Sequence, residues 1–129
     1  MGGQVQLMFG AVTTMAGPVK AGKVKALATT GMQRSSVLPD VPTVNEAGVP
    51  GYEATIWLGL MSPKGTPPEV VDKLNEAVSK IASEPAVKAE WAKQGATPMV
   101  MSPAQFQQYL EGDIAKWARV IKTANIKVD

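Results

Sequence analysis

Apolar residues follow two different patterns along this chain, short continuous runs in the first half and helical spacing in the second half. Residues 5–9 (VQLMF) and 23–30 (KVKALATT) are short runs bounded by glycines, which is typical of buried strands. Residues 13–20 lie between them and can form a short helix, which Gly17 and Pro18 would interrupt or delay. Two strands joined by a helix predict a βαβ unit in a parallel sheet.

A proline-rich segment, residues 34–67, joins the two halves. Within it Thr43 can cap a short helical turn, Glu46 is the reciprocal partner three residues later, and Gly48 is well placed to end the turn. Residues 52–61 (YEATIWLGLM) are then extended and increasingly apolar on both sides. The pattern predicts a strand that is covered on both faces.

Three helices are predicted in the second half, each with its own start signal. We expect Thr66 to cap the first, with Pro67 at its first helical position. Ser83 is expected to cap the second, and Ser102 with Pro103 to begin the third and longest. Between the last two, residues 97–101 predict a short edge strand, because Pro98 cannot donate to a central ladder.

Composition restricts the function more than it defines it. The 129 residues contain 45% hydrophobic and 19% charged residues, as in an ordinary globular domain. The net charge of +2 is too small to indicate nucleic-acid binding. Cysteine and histidine are both absent, so thiolate or imidazole metal sites are excluded and neither a metal nor a cofactor is expected. Without histidine, the chain lacks the side chain most used for acid–base catalysis near neutral pH, which disfavours an enzyme.

The N-terminal sequence, MGGQVQLMFGAVTT, begins almost inside the first predicted strand. It has no basic start followed by an apolar core, so it is not expected to be a signal peptide. No apolar run reaches the length of a membrane span. We therefore expect the upstream part of a longer protein to be missing from this chain.

Two short segments are candidates for binding a small ligand. The first follows the first predicted strand, where small residues and the start of a helix can offer backbone N–H groups to an anion. The second lies in the extended segment, where an aromatic wall and a hydroxyl could line a cleft. The candidate residues are Phe9, Gly10, Ala11, Val12, Thr13, Thr55 and Trp57.

Carboxylates around residues 34–67 leave a third, enzymatic interpretation open. Asp40, Glu46 and Glu53 could act as an acid and base pair, although capping and solvation are commoner uses of such residues. If Asp40 or Glu53 were catalytic, replacing it by its amide would abolish a measurable activity.

Four stretches of the sequence, in order and together covering most of the chain, resemble one protein family. They are GGQVQLMFG, VKAGKVKALATTG, RSSVLPDVPTVNEAGVPGYEATIWLGLMSPKGTPPEVVDKLN and GATPMVMSPAQFQQYLEGDIAKWARVIKTANIKVD. The sequence is similar to the C-terminal portion of the Bug family of solute-binding proteins, the TctC-type receptors of tripartite tricarboxylate transporters.

The resemblance implies an α/β fold, namely part of the hinged, two-domain (type II) periplasmic-binding-protein fold. Residues 1–52 would be the C-terminal part of domain 2, and residues 53–129 the crossover strand and C-terminal helices of domain 1. The expected function is capture of small organic carboxylates in the periplasm, without catalysis. The partners implied are the carboxylate and the membrane permease subunits of the transporter.

An alternative interpretation is a structural or self-associating α/β module without a ligand of its own. A partial clamp can expose a sheet edge, which favours a homodimer or a segment-swapped oligomer. Retained ligand binding would separate this interpretation from the first.

Overall fold

The computed structural model describes residues 2–127 and contains four α-helices within them. They are α1 (Val12–Lys20), α2 (Pro68–Ser83), α3 (Pro85–Lys93) and α4 (Pro103–Thr123). The chain divides into two compact units. The first contains the residues up to Met61 together with Pro85–Pro98, and the second contains Ser62–Glu84 together with the residues from Met99 onward. The predicted domain boundary at residue 52 refers to a longer receptor and stays a prediction.

Helix α1 confirms the short helix predicted after the first apolar run, but the expected interruption at Gly17 and Pro18 is wrong. Pro18 lies inside the helix, only two residues before its last residue. The chain leaves the helix through a turn in which the N–H of Lys23 donates to the carbonyl of Pro18 over 3.0 Å. Gly22 has a φ of 67°, which glycine adopts without a steric penalty.

The starts of α2 and α3 each differ slightly from the predictions, and proline is the reason in both. Thr66 does not cap α2, since its hydroxyl donates to the carbonyl of Pro63 over 2.8 Å and α2 begins at Pro68. Pro67 precedes a proline and is therefore extended (φ −55°, ψ 136°). The same effect holds Glu84 extended before Pro85, so α2 runs on through Ser83, which was expected to cap α3.

Helix α4 begins as predicted, and it packs on α2 in the second unit. The Ser102 hydroxyl accepts the N–H of Gln105 over 3.2 Å, and the Gln105 side chain accepts the N–H of Ser102 over 2.9 Å, which completes a capping box. Asn75 of α2 donates to the carbonyl of Met101, just before α4, over 2.9 Å. This bond ties the middle of α2 to the entry of α4.

The strands predicted at residues 5–9, 23–30, 52–61 and 97–101 do not form a ladder within residues 2–127. The one parallel pairing there is an isolated bridge between Thr29 and Thr43. An apolar run favours an extended backbone, but a strand also needs a neighbour at the right distance to accept its hydrogen bonds.

The most buried position of the first unit lies at that bridge. Thr43 is 1% exposed, and the N–H of Thr29 donates to the carbonyl of Pro42 over 2.8 Å. The N–H of Val44 returns to the carbonyl of Thr29 over 2.9 Å, and the N–H of Ala54 donates to Thr30 over 2.9 Å. Residues 29–30 therefore lie between residues 42–44 and residue 54, and hold the start of the exposed extended segment in place.

Candidate functional site

The start of α1 presents backbone donors without an internal acceptor. Ala11 is the N-cap residue and is extended (φ −65°, ψ 137°), and it has no side-chain cap. Its carbonyl accepts the N–H groups of Thr14 and Met15, each over 3.0 Å. Among residues 2–127, the N–H groups of Val12 and Thr13 have no hydrogen-bond partner, and the first turn holds no acidic residue. Such an end of a helix attracts an anion.

Close packing against Gly95 fixes the position of that helix start. Gly95 has a φ of 74°, and a methyl group placed on it would lie 2.8 Å from Cγ1 of Val12 and 3.0 Å from Cγ2 of Val37. Glycine is therefore required there both by the backbone and by the space. Val12 is half-buried, whereas Thr13 is exposed and Phe9 is 75% exposed.

Gly10, between Phe9 and the helix, also approaches its surroundings closely. A methyl group on Gly10 would lie 2.8 Å from Cγ of Met15, the flexible side chain one turn into α1. The candidate residues 9–11 thus form the loop that leads into α1, and Val12 and Thr13 are the first two residues of that helix. Val12 packs on the unit, whereas Phe9 and Thr13 face solvent.

The second candidate segment is attached to a different part of the first unit. Thr55 is exposed, and its hydroxyl donates to Glu53 over 3.3 Å. Its methyl group would lie 3.8 Å from a methyl placed on Gly31, while Trp57 is half-buried. Thr55 thus lies beside Gly31, whereas Val12 lies beside Gly95. A shared site formed by both segments stays a prediction.

Glu46, one of the carboxylates considered for acid–base chemistry, is a structural group in this fold. Its carboxylate accepts the N–H of Thr43 over 2.8 Å, and its own N–H donates to the Thr43 hydroxyl over 3.1 Å, as the capping pattern predicted. The backbone bond from Thr43, and then the Arg34 side chain, hold the pKa of Glu46 below its ordinary value of 4.5. A carboxyl that stays ionised in this way is unsuited to donating a proton near neutral pH.

Arg34 is the member of this cluster that sequence reasoning missed. Its Nε donates to both carboxylate oxygens of Glu46, over 3.2 and 2.9 Å, and its Nη1 donates to the carbonyl of Pro39 over 3.2 Å. The two residues are 12 positions apart, so no local motif indicates the pair. Arg34 thereby fastens the proline-rich loop to the turn that begins at Thr43.

An open pocket of about 930 Å³ also lies in the first unit. It is bounded by the C-terminal end of α1, by residues 36–41 and by α3. The Ser36 hydroxyl donates to the carbonyl of Ala92 at its edge over 3.4 Å, and Lys93 is paired with Glu90 at 2.9 Å. None of the candidate residues 9–13, Thr55 or Trp57 lines it. The pocket and the predicted ligand segments are therefore different surfaces.

The part of the chain that the structure describes contains no group of three or more acidic, cysteine or histidine residues placed to hold a metal ion. Within the same residues, no helix combines the length and the apolar character needed to cross a bilayer.

Comparison with known proteins decides the family. Residues 1–126 match the family described as the tripartite tricarboxylate transporter family receptor. The chain belongs to this receptor family. The predicted resemblance is therefore confirmed, and it extends over almost all of the sequence.

One curated relative is Protein BugT of Bordetella pertussis, which is 34% identical over 110 residues. The match covers 85% of this chain but 34% of BugT. A relative from Agrobacterium vitis is 35% identical over 127 residues, which are 96% of this chain and 37% of that protein. The chain thus spans little more than a third of the length of these family receptors.

Solved structures similar to this chain are also matched over only part of their length. The periplasmic binding protein BugD has a TM-score of 0.80 and 34% identity, with 90% of this chain and 40% of BugD covered. An R. palustris protein in complex with adipate has a TM-score of 0.80 and 36% identity, covering 89% and 38%. MatC of Rhodopseudomonas palustris, with bound malate, has a TM-score of 0.74 and 35% identity, covering 85% and 38%. The expected partial periplasmic-binding-protein fold is confirmed.

Proposed function

We propose that this chain is part of an extracytoplasmic solute-binding receptor that captures small organic carboxylates for a tripartite tricarboxylate transporter. The observation that carries the proposal is the family match over residues 1–126. It is supported by the similarity to one receptor in complex with adipate and to another with bound malate. Both ligands are small dicarboxylates, so a receptor for them needs hydrogen-bond donors that bind an anion.

The start of α1 has the chemistry that this function needs. The N–H groups of Val12 and Thr13 would donate to one carboxylate of the ligand, and the positive end of the helix would add a favourable field. Phe9, Gly10 and Ala11 would let the carboxylate approach the backbone. The hydroxyl of Thr55 and the indole of Trp57 would contact the remainder of the ligand.

In the complete receptor, residues 1–52 would belong to domain 2 and residues 53–129 to domain 1, with the ligand between them. Closure about the hinge would then present the loaded receptor to the membrane permease subunits in the periplasm. Binding and delivery account for this function without a catalytic step.

Equilibrium binding by calorimetry tests the proposal directly. Adipate and malate are titrated into the chain at low ionic strength, with adipamide as the matched ligand that has the same carbon skeleton and no charge. We expect heat of binding for at least one carboxylate and none for adipamide. Equal heats for adipate and adipamide, or no heat from either dicarboxylate, would contradict the proposal for this chain.

A second candidate function is a self-associating module without a ligand, and one observation favours it. Ile56 is 82% exposed and Leu58 is 98% exposed, although both are large and apolar. Contiguous exposure of this kind commonly marks an interaction surface. A defined homo-oligomer that binds no carboxylate would favour this candidate over the receptor function.

A further inference from the structure

The open pocket of the first unit is lined mainly by apolar side chains. We name it the α1–α3 groove, since it lies between the end of α1, residues 36–41 and α3. Val19, Leu38 and Val41 contribute branched apolar side chains to it, and Ala89 and Ala92 contribute small ones. Its volume of about 930 Å³ is that of a site for a small organic molecule. An occupant of this groove would be distinct from a carboxylate held at the start of α1.

The loop that forms one side of the groove is held in place by its own hydrogen bonds. Arg34 donates to the carbonyl of Pro39 over 3.2 Å, and the proline ring fixes the φ angle of that residue. The Ser36 hydroxyl donates to the carbonyl of Ala92 over 3.4 Å and so connects the loop to α3. Because these contacts exist before anything binds, a ligand would not have to order the loop.

Two side chains of opposite charge line the groove without a partner. Lys20 is the last residue of α1, and Asp40 lies in the loop. Within residues 2–127, neither side chain takes part in an ion pair. The other charged residue of the lining, Lys93, is paired with Glu90 at 2.9 Å. The groove therefore offers an unpaired ammonium group and an unpaired carboxylate beside an apolar surface.

We propose that the α1–α3 groove binds a small zwitterion with an apolar side chain, the chemistry of a free amino acid such as leucine. Its carboxylate pairs with Lys20 and its ammonium group with Asp40. Its side chain packs against Leu38 and Val41, which removes apolar surface from water. A dicarboxylate fits less well, because its second charge would approach the carboxylate of Asp40. The proposal therefore does not depend on carboxylate capture at the start of α1.

Titration followed by amide NMR tests the proposal. Leucine is added at neutral pH and low ionic strength, and two analogues each lack one of its charges. They are 4-methylpentanoate, without the ammonium group, and 3-methylbutylamine, without the carboxylate. We expect saturable shifts at the amides of residues 36–41 and 89–93 with leucine. Each analogue should bind roughly three- to fivefold more weakly, as expected for the loss of one solvent-exposed ion pair.

Substitutions of the two charges assign each one to its partner. Lys20→Gln and Asp40→Asn should each weaken leucine binding about threefold. Asp40→Asn should also abolish the preference for leucine over 4-methylpentanoate, because the group that selects the ammonium is lost. Lys25→Gln is the matched control, since Lys25 is exposed in the same unit but does not line the groove. It should leave the affinity for leucine unchanged.

A larger side chain in the groove tests its location independently of charge. Ala89→Phe places a ring in the space that the leucine side chain would occupy, so binding should be lost at concentrations that saturate the unaltered chain. Ala86→Phe makes the same change on the same helix outside the lining, and it should leave binding intact. Both alanines are exposed, and circular dichroism verifies that both variants fold.

Three results would overturn the proposal. Equal affinities for leucine and 4-methylpentanoate would show that Asp40 selects no ammonium group. Unchanged leucine binding in Ala89→Phe would place the ligand elsewhere, and shifts confined to residues 9–13 would place it at the start of α1. Adipate titrated into the same sample tests the proposed function separately. Its failure to bind would leave the result for leucine intact, and the reverse also holds.

Discussion

Replacing Val12 by proline tests whether the start of α1 holds the carboxylate through its backbone. Val12 is the first residue of the helix, a position where proline is favoured because the lost N–H has no partner inside the helix. The preceding residue, Ala11, already has the extended conformation that a proline requires of its neighbour (ψ 137°). Val12→Pro therefore removes one donor to the ligand and leaves the helix able to form.

The expected magnitude follows from the donor that is lost. A hydrogen bond to a charged group contributes about 1.5–3 kcal/mol, and about 1.4 kcal/mol corresponds to a tenfold change in affinity. Val12→Pro also removes packing against Gly95, where the valine methyl fits closely. Val12→Ala is the matched control, since it shortens the side chain and keeps the N–H.

The assay is calorimetric titration with the dicarboxylate that binds the unaltered chain best. We expect Val12→Pro to bind roughly ten- to hundredfold more weakly than Val12→Ala. The two variants should show similar helical circular dichroism, which establishes that the comparison is between folded proteins. Equal affinities in the two variants would refute the role assigned to this N–H group.

Three further predictions concern the framework. Thr43→Val should lower the free energy of unfolding by about 1–2 kcal/mol and speed hydrogen exchange at the Glu46 amide, because the hydroxyl that accepts this N–H is lost. Thr43→Ser keeps the hydroxyl and should keep that amide protected. Equal exchange rates in the two variants would contradict the capping role of Thr43. Because the pKa of Glu46 is lowered, its stabilisation is present above pH 4.5 and is lost as the pH falls through the lowered value. An NMR titration of Arg34→Gln should raise that pKa only in part, since the Thr43 N–H is the larger cause, and a complete return to 4.5 would contradict this order. Ser102→Ala should lower the free energy of unfolding of the chain, measured by thermal unfolding, by about 1 kcal/mol, and Ser102→Thr should lower it much less. Equal stability of the two variants would contradict a stabilising role of the capping box with Gln105.

Local chemistry explains which structural features could be predicted from the sequence. The cap of α4 by Ser102 and the reciprocal pair of Thr43 and Glu46 need residues only three positions apart, so their patterns identify them directly. The start of α2 was misassigned by one residue because two consecutive prolines satisfy the same start signal, and only the second can be helical here.

Contacts between residues far apart in the sequence could not be predicted from such local patterns. The ion pair of Arg34 with Glu46 and the bridge of Thr29 with Thr43 join residues 12 and 14 positions apart through a loop whose path the sequence does not specify. The predicted strands failed for the same reason, since an apolar run does not identify its partner. For the site, the donors at Val12 and Thr13 were predictable as a helix start, whereas the role of Gly95 in positioning them was not.

Thermal unfolding with and without a panel of mono-, di- and tricarboxylates tests the central claim most directly. A ligand at a hundred times its dissociation constant adds about 2.7 kcal/mol to the folded state, which shifts the midpoint of a domain of this size by several degrees. The receptor function predicts a selective shift with one or a few small carboxylates and none with their amides. A cooperative transition that no carboxylate moves would contradict carboxylate capture by this chain.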